Sequence, residues 1–310
     1  MDRLQANRFD FNPMHWLRTW SQVTVKALLR LWGRDVMLYV GGVSFFALLA
    51  VFPAIAILIS LYSLLSNPDQ AAHQAEALAQ LMPPAARTLF EGELMRLAHA
   101  PRPAMSVQSV VALVIGAYAA FRGFKALLAG LSFIHDEDKP HGFVSFNLIA
   151  LVVALAALAL LTIVSAAFLA VRVIYSALNI KLLGGVNWLF SEWTWTTVGL
   201  TVGLTLIYRY AMSREPVAWR ASMMGGLVAA LMFVAASWAS AFYVDQIVQL
   251  GATYGSVATV VVLLIWLSWN VNAIFFGGAL ATEAELELHS RPIGILPDLR
   301  GDKPTTLSSR

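Results

Sequence analysis

Six uninterrupted apolar stretches dominate this chain: Val36 to Ser66, Ala104 to Phe121, Phe143 to Ile174, Val186 to Ala211, Val217 to Val248 and Tyr254 to Thr282. A helix needs about 20 apolar residues to cross the hydrocarbon layer of a bilayer, and each run reaches or approaches that length. Inside hydrocarbon the backbone finds no water, so such a run is stable only as a helix that closes its own hydrogen bonds. The pattern predicts an all-α polytopic membrane protein with about six transmembrane helices in one bundle. Several runs exceed a perpendicular crossing, which predicts tilt or helix ends projecting from the bilayer.

Composition agrees. Hydrophobic residues fill 59% of the 310 positions and charged residues 13%, where a soluble domain has roughly 45–50% and about 25%. Cysteine is absent, which excludes disulfides, thiolate nucleophiles and cysteine metal sites. The net charge of +3 is less informative than its distribution. Segments 1–35, 122–142, 209–220 and 283–310 hold sixteen of the twenty-one Lys and Arg residues; the others are Arg87, Arg96, Arg102, Arg172 and Lys181. Basic residues are retained in short cytoplasmic loops, so both termini are expected in the cytoplasm. Charges continue to Asp35 and the first apolar run is too long for a cleavable signal, so that run is expected to stay as an anchor.

Residues 1–35 read as a cytoplasmic or interfacial amphipathic segment. Asn12-Pro13 has the form of a helix start, and Trp16, Trp20, Val23, Ala27 and Leu31 follow at helical spacing, with Arg18 opposite and Lys26 and Arg30 flanking. Such a helix either lies in the inner headgroup layer, its cations near anionic lipid, or packs on the bundle through the same stripe. Residues 36–290 form the expected transmembrane domain. Its long outer loop, 67–103, is broken by Pro83-Pro84 and is expected to make a small helical periplasmic cap. Residues 291–310 have too little apolar content to fold and are expected to be a disordered cytoplasmic tail.

Polar side chains at bilayer depth are candidate sites because they are expensive there. Asn270 and Asn272 lie near the middle of the last run, two positions apart and so on nearly opposite faces of a helix. Interhelical hydrogen bonding competes with substrate contact for both. Arg172 and Glu192 stand near the outer ends of the third and fourth runs and could pair, although snorkelling to the interface is cheaper. Pro53 should kink the first helix. Gly199 and Gly203 form a GxxxG pattern, and Gly225, Gly226, Gly277 and Gly278 mark further close helix approaches, within one bundle or between two copies of the chain. The cluster from His135 to His141 is the metal-capable stretch, but consecutive residues in a short loop read as a solvated charged turn. No phosphate loop, dinucleotide fingerprint or hydrolase motif is present.

Taken in order, several segments resemble the YihY/BrkB family of bacterial inner-membrane proteins, once labelled ribonuclease BN. They are Val43-Ser-Phe-Phe-Ala-Leu-Leu-Ala-Val-Phe-Pro53, then Ala120-Phe-Arg-Gly-Phe-Lys-Ala-Leu-Leu-Ala-Gly-Leu131 with Lys139-Pro140, and Trp219-Arg-Ala through Phe242-Tyr-Val, Tyr254-Gly-Ser-Val-Ala-Thr-Val, Trp266-Leu and Phe276-Gly-Gly-Ala279. Where members commonly carry Gly-Ala-Glu or Gly-Ala-Gln followed by Leu-Asn, this chain reads Gly277-Gly-Ala279-Leu-Ala281, with Glu283 following. The resemblance implies a six-helix inner-membrane protein without a settled activity. Nuclease, virulence and transport labels have been attached to the family.

Three functions stay open on the sequence. The first is a transporter or permease for a lipid or other envelope amphiphile, with Asn270, Asn272, Pro53, Arg172 and Glu192 along its path and Arg18, Lys26 and Arg30 at the headgroups. The second is a non-transporting scaffold of an envelope complex, and the third a membrane-bound hydrolase. No catalytic residue, metal, cofactor or nucleic-acid partner is expected. Membrane lipids, anionic ones included, and a second copy of the chain are the expected partners.

Overall fold

The computed structural model describes residues 13–32, 35–65, 107–136, 142–178, 191–246 and 258–290. They form seven helices: α1 (Pro13–Trp32), α2 (Val36–Leu65), α3 (Val107–His135), α4 (Phe143–Leu178), α5 (Glu192–Tyr210), α6 (Trp219–Gln246) and α7 (Ala258–Ser290), with no strand among the described residues. Helices α2 to α7 occupy the six apolar runs. The expected cap at 67–103 and tail at 291–310 lie outside the described residues.

Two boundaries differ from the expectation. Helix α3 continues past Phe121 to His135, because Leu127, Leu128, Leu131 and Ile134 recur at helical spacing and are buried, so the charges of Arg122 and Lys125 do not end it. Helix α7 likewise runs past Thr282 to Ser290. By length and apolarity, four stretches among the described residues could each cross a bilayer: Val114–His135, Phe143–Phe168, Trp219–Ser240 and Val260–Leu288. A fifth crossing is formed if Trp20–Trp32 and Val36–Val51, which meet at 77°, count as one bent span. Helix α5 falls outside this group because Thr194, Thr196, Thr197, Thr201 and Thr205 dilute its apolar character. The expected six crossings therefore stand at four or five on apolarity alone.

Helix α7 occupies the centre, with α6, α1, α2 and α3 packed on it, and every residue from Phe275 to Ala284 is buried. Lipid tails are as apolar as leucine, so helices in a bilayer associate through close packing more than through burial from water. Gly225 and Gly277 show how close: a Cβ on Gly277 would lie 2.5 Å from Ala229 Cβ and 2.6 Å from the Gly225 carbonyl oxygen. On α3, glycines at intervals of seven meet α2 residues at the same interval running the other way. A Cβ on Gly116 would occupy the position of the Pro53 ring, one on Gly123 would lie 3.4 Å from Phe46 Cβ, and one on Gly130 3.1 Å from Tyr39 Cβ. A seven-residue repeat keeps two helices in register along a shallow left-handed crossing.

Helix α1 packs on the bundle through the expected stripe. Val23 and Ala27 are buried and Leu31 packs on the core, while Val25, Leu28, Leu29 and Trp32 on other faces are exposed. One side is docked on the bundle and the other is exposed. The end of α1, the end of α3, the turn 211–218 and the end of α7 are joined at one end of the bundle: Ser132 Oγ donates to the Met212 carbonyl at 3.0 Å, and the Ala218 N–H to Glu285 Oε1 at 3.0 Å.

Candidate functional site

Two features stand out from ordinary helix packing. The first is a side groove of about 750 Å³ between α4 and the bodies of α3 and α5, with Ile274 of α7 at its back. Its walls include Phe124, Leu148, Phe168, Trp195, Gly199 and Tyr210, and nearly all its surface is apolar. The groove follows α4 from Leu148 to Phe168, roughly 30 Å at 1.5 Å per residue, which is the thickness of the hydrocarbon layer. Small residues on α5 let α4 approach closely along it: a Cβ on Gly203 would lie 2.9 Å from Leu160 Cδ2, and one on Gly199 3.2 Å from Val164 Cγ2. Helix α4 packs chiefly on α3 and α5, and Leu151, Leu155 and Ile163 are exposed.

At the end of the groove beside Phe124 and Leu148 stands Lys125. Its Nζ donates to Asn147 Oδ1 at 2.7 Å and lies 5.4 Å from the centre of the Phe143 ring and 6.0 Å from that of Phe146. Asn147 Nδ2 in turn donates to the Phe143 carbonyl at 2.9 Å, which fixes the amide near the start of α4.

The second feature is an ionic clasp. Arg30 of α1 donates through Nε to Glu283 Oε1 at 2.6 Å, through Nη1 to Asp136 Oδ2 at 2.8 Å, and to the Ile134 carbonyl at 3.0 Å. Asp136 has φ of 60°, a left-handed conformation that aspartate tolerates better than most residues, and Arg30 caps the last carbonyls of α3 beside it. His135 Nδ1 lies 3.1 Å from Thr282 Oγ1, with Nε2 4.0 Å from Glu285 Oε2. Glu283 is 8% exposed, so its carboxylate needs this partner: an unpaired charge at such depth would be expelled or neutralised.

The sequence-derived candidates separate. Asn270 is buried; its Nδ2 donates to the Trp266 carbonyl at 2.7 Å and its Oδ1 accepts from Ser237 Oγ at 3.2 Å, while Trp266 Nε1 donates to the same hydroxyl at 3.1 Å. This small network holds α6 to α7. Asn272 donates to the Ser268 carbonyl at 2.8 Å, and Ser268 Oγ meets Ser44 Oγ of α2 at 3.4 Å. Neither asparagine lines the groove. Pro53 abuts Gly116. Arg172 lies in α4 and Glu192 begins α5, while Arg18 lies in α1; these three side chains fall outside the described residues. Lys26 is exposed. Arg30, expected at lipid headgroups, instead turns into the clasp. Of the acidic loop, His135 and Asp136 belong to that same network, and 137–141 lie outside the described residues.

Sequence reading passed over Lys125 with Asn147. The signal was an amide five residues into an otherwise apolar run, opposite a lysine on the preceding helix. Tyr208 was also passed over: its hydroxyl, fully buried, donates to the Ile274 carbonyl at 2.6 Å behind the groove. Among the described residues no three histidine, aspartate or glutamate side chains are grouped to hold a metal ion.

Long apolar helices packed through glycine, with a lateral groove and charges gathered at one end, define a polytopic helical membrane protein. A family model described as Virulence factor BrkB matches residues 27–293, and the chain belongs to that family. A UPF0761 membrane protein of Verminephrobacter eiseniae is 34% identical over 87 residues, 28% of this chain and 20% of the relative. A putative ribonuclease-like protein YfkH of Bacillus subtilis is 23% identical over 256 residues, 80% of this chain and 88% of the relative. The chain thus matches only about a fifth of the first relative's length but most of the second's. No solved structure matches it.

Proposed function

We propose that this protein is a permease-like transporter of the bacterial inner membrane that handles a lipid or other envelope amphiphile, with both termini in the cytoplasm. The observation that carries the reading is the groove: apolar, opening sideways from the bundle, and as long as the hydrocarbon layer is thick. A path for a soluble polar solute would present several placed polar groups along its walls. This one presents mainly Ser165, Thr196 and Tyr210 among aliphatic side chains, which suits an acyl chain sliding between α4 and α5 with its headgroup outside. The excess of basic residues in the segments at one end supports the orientation. The ribonuclease-like label belongs to the YfkH relative and does not enter this reading.

The test is movement of headgroup-labelled lipid across proteoliposomes, with empty vesicles and an Ala157→Trp variant for comparison. Ala157 lines the groove, and an indole there fills it. Flux above empty vesicles that the variant loses supports the reading. Flux that survives the indole places the path elsewhere. No flux from intact protein sinks the transport reading and favours a scaffold.

A further inference from the structure

The groove has two chemically different ends. At the Phe168 and Trp195 end the walls are aromatic, while at the Leu148 end a cation waits beside the opening. We infer that Lys125 and Asn147 form a headgroup site selective for anionic phospholipid, with the acyl chain of the same molecule lying in the groove; this rests on the groove reading above.

The geometry supports it in three ways. Lys125 is half-buried, and among the described residues its ammonium makes one hydrogen bond, to Asn147 Oδ1, and lies beside two phenylalanine rings. An ammonium carries three N–H donors, so donors remain for a phosphate oxygen. Among the described residues no carboxylate lies within ion-pair distance of it, in contrast with Arg30, whose charge is already neutralised by Glu283 and Asp136. A half-buried cation with no counter-ion among the described residues is unfavourable, and an anionic ligand removes that cost.

Position is the second support. Asn147 is the fifth residue of α4, near where the helix enters its long apolar stretch Phe143–Phe168. That is the level of a headgroup, with the tail able to follow the groove from Leu148 onward. The Phe143 and Phe146 rings complete the collar, as aromatic side chains do where apolar and polar layers meet. Third, Arg122 lies one turn away on the same helix but points elsewhere, over the Phe46 ring of α2 at 5.3 Å. The two cations are therefore separable experimentally.

The intact protein is reconstituted into vesicles of mixed phosphatidylglycerol and phosphatidylcholine, extracted, and its retained lipids are counted by native mass spectrometry. Phosphatidylglycerol should be retained about fivefold beyond its share of the vesicles, corresponding to about 1 kcal/mol for one basic residue near an anionic surface. Lys125→Gln should abolish that preference while total lipid retained stays unchanged, Lys125→Arg should keep it, and Arg122→Gln should leave it intact. A preference that survives Lys125→Gln overturns the site. Equal loss in Arg122→Gln overturns it too, because the effect is then general surface charge. Lipid retained without any headgroup preference overturns the site but leaves the groove reading standing. No lipid retained by intact protein, with Ala157→Trp indistinguishable from it, overturns both.

Discussion

The Arg30 guanidinium and the Glu283 carboxylate, 253 positions apart in the chain, meet at 2.5 Å with only 14% and 10% of their side chains exposed. The pair ties a peripheral helix to the central one at the end of the bundle where α3 also terminates. Breaking one half of a buried pair leaves a charge with no solvent and no partner, whereas removing both leaves a site that apolar side chains can fill.

Arg30→Leu should therefore lower stability by about 3–5 kcal/mol, and the double variant Arg30→Leu, Glu283→Leu should recover most of that loss. Asp136→Asn should change stability by less than about 1 kcal/mol, since Asp136 is half exposed. Thermal unfolding of the purified protein in detergent reads all three. A double variant no more stable than Arg30→Leu would show that the clasp is not a charge-pairing device.

Glycine substitutions should divide sharply by position. Gly277→Ala would drive its methyl against Ala229 and the Gly225 carbonyl, an overpacking worth roughly 1–3 kcal/mol. Gly41→Ala, with nothing within 4 Å of its new methyl, should stabilise α2 by up to about 1 kcal/mol through helix propensity. Unfolding midpoints of the two variants should move in opposite directions.

Asn270→Leu should destabilise the seam between α6 and α7 by roughly 0.6–2 kcal/mol, because Ser237 loses its amide partner. Lipid movement per folded molecule should be unchanged, since Asn270 lies off the groove. Loss of flux in a fully folded Asn270→Leu protein would move the path to the α6–α7 seam.

The absence of native cysteine permits single-cysteine labelling without background. Lys26→Cys and Glu215→Cys, both at exposed positions on the end of the bundle that gathers the basic segments, should react with a membrane-permeant maleimide in intact cells. A bulky impermeant maleimide should leave both untouched until the membrane is opened. Labelling of both from outside would invert the orientation; labelling of one alone would contradict their placement at the same end.

Much of the architecture was legible because it depends on local composition. The apolar runs located α2 to α7, and the helical period alone placed Asn270 and Asn272 on different faces. Helix α3 extends beyond its apolar run because Leu127, Leu131 and Ile134 continue the helix into the core behind Arg122 and Lys125. What the glycines at 116, 123 and 130 meet on α2 depends on the pairing of the two helices and could not be read from either one alone. Arg30 looked like a surface cation because nothing near it in the chain announces Glu283.

By itself, then, the sequence determined that this is a helical membrane protein, where most of its helices lie, and the bias of charge along the chain. These follow from the transfer free energy of each stretch and from the short reach of backbone hydrogen bonds, both of which are local. Only the tertiary structure decided that Arg30 is neutralised by Glu283 while Lys125 meets no carboxylate among the described residues, and that an apolar groove runs along α4. Ion pairing and cavity shape depend on distances between helices far apart in the chain, and those distances are set by packing of the whole bundle.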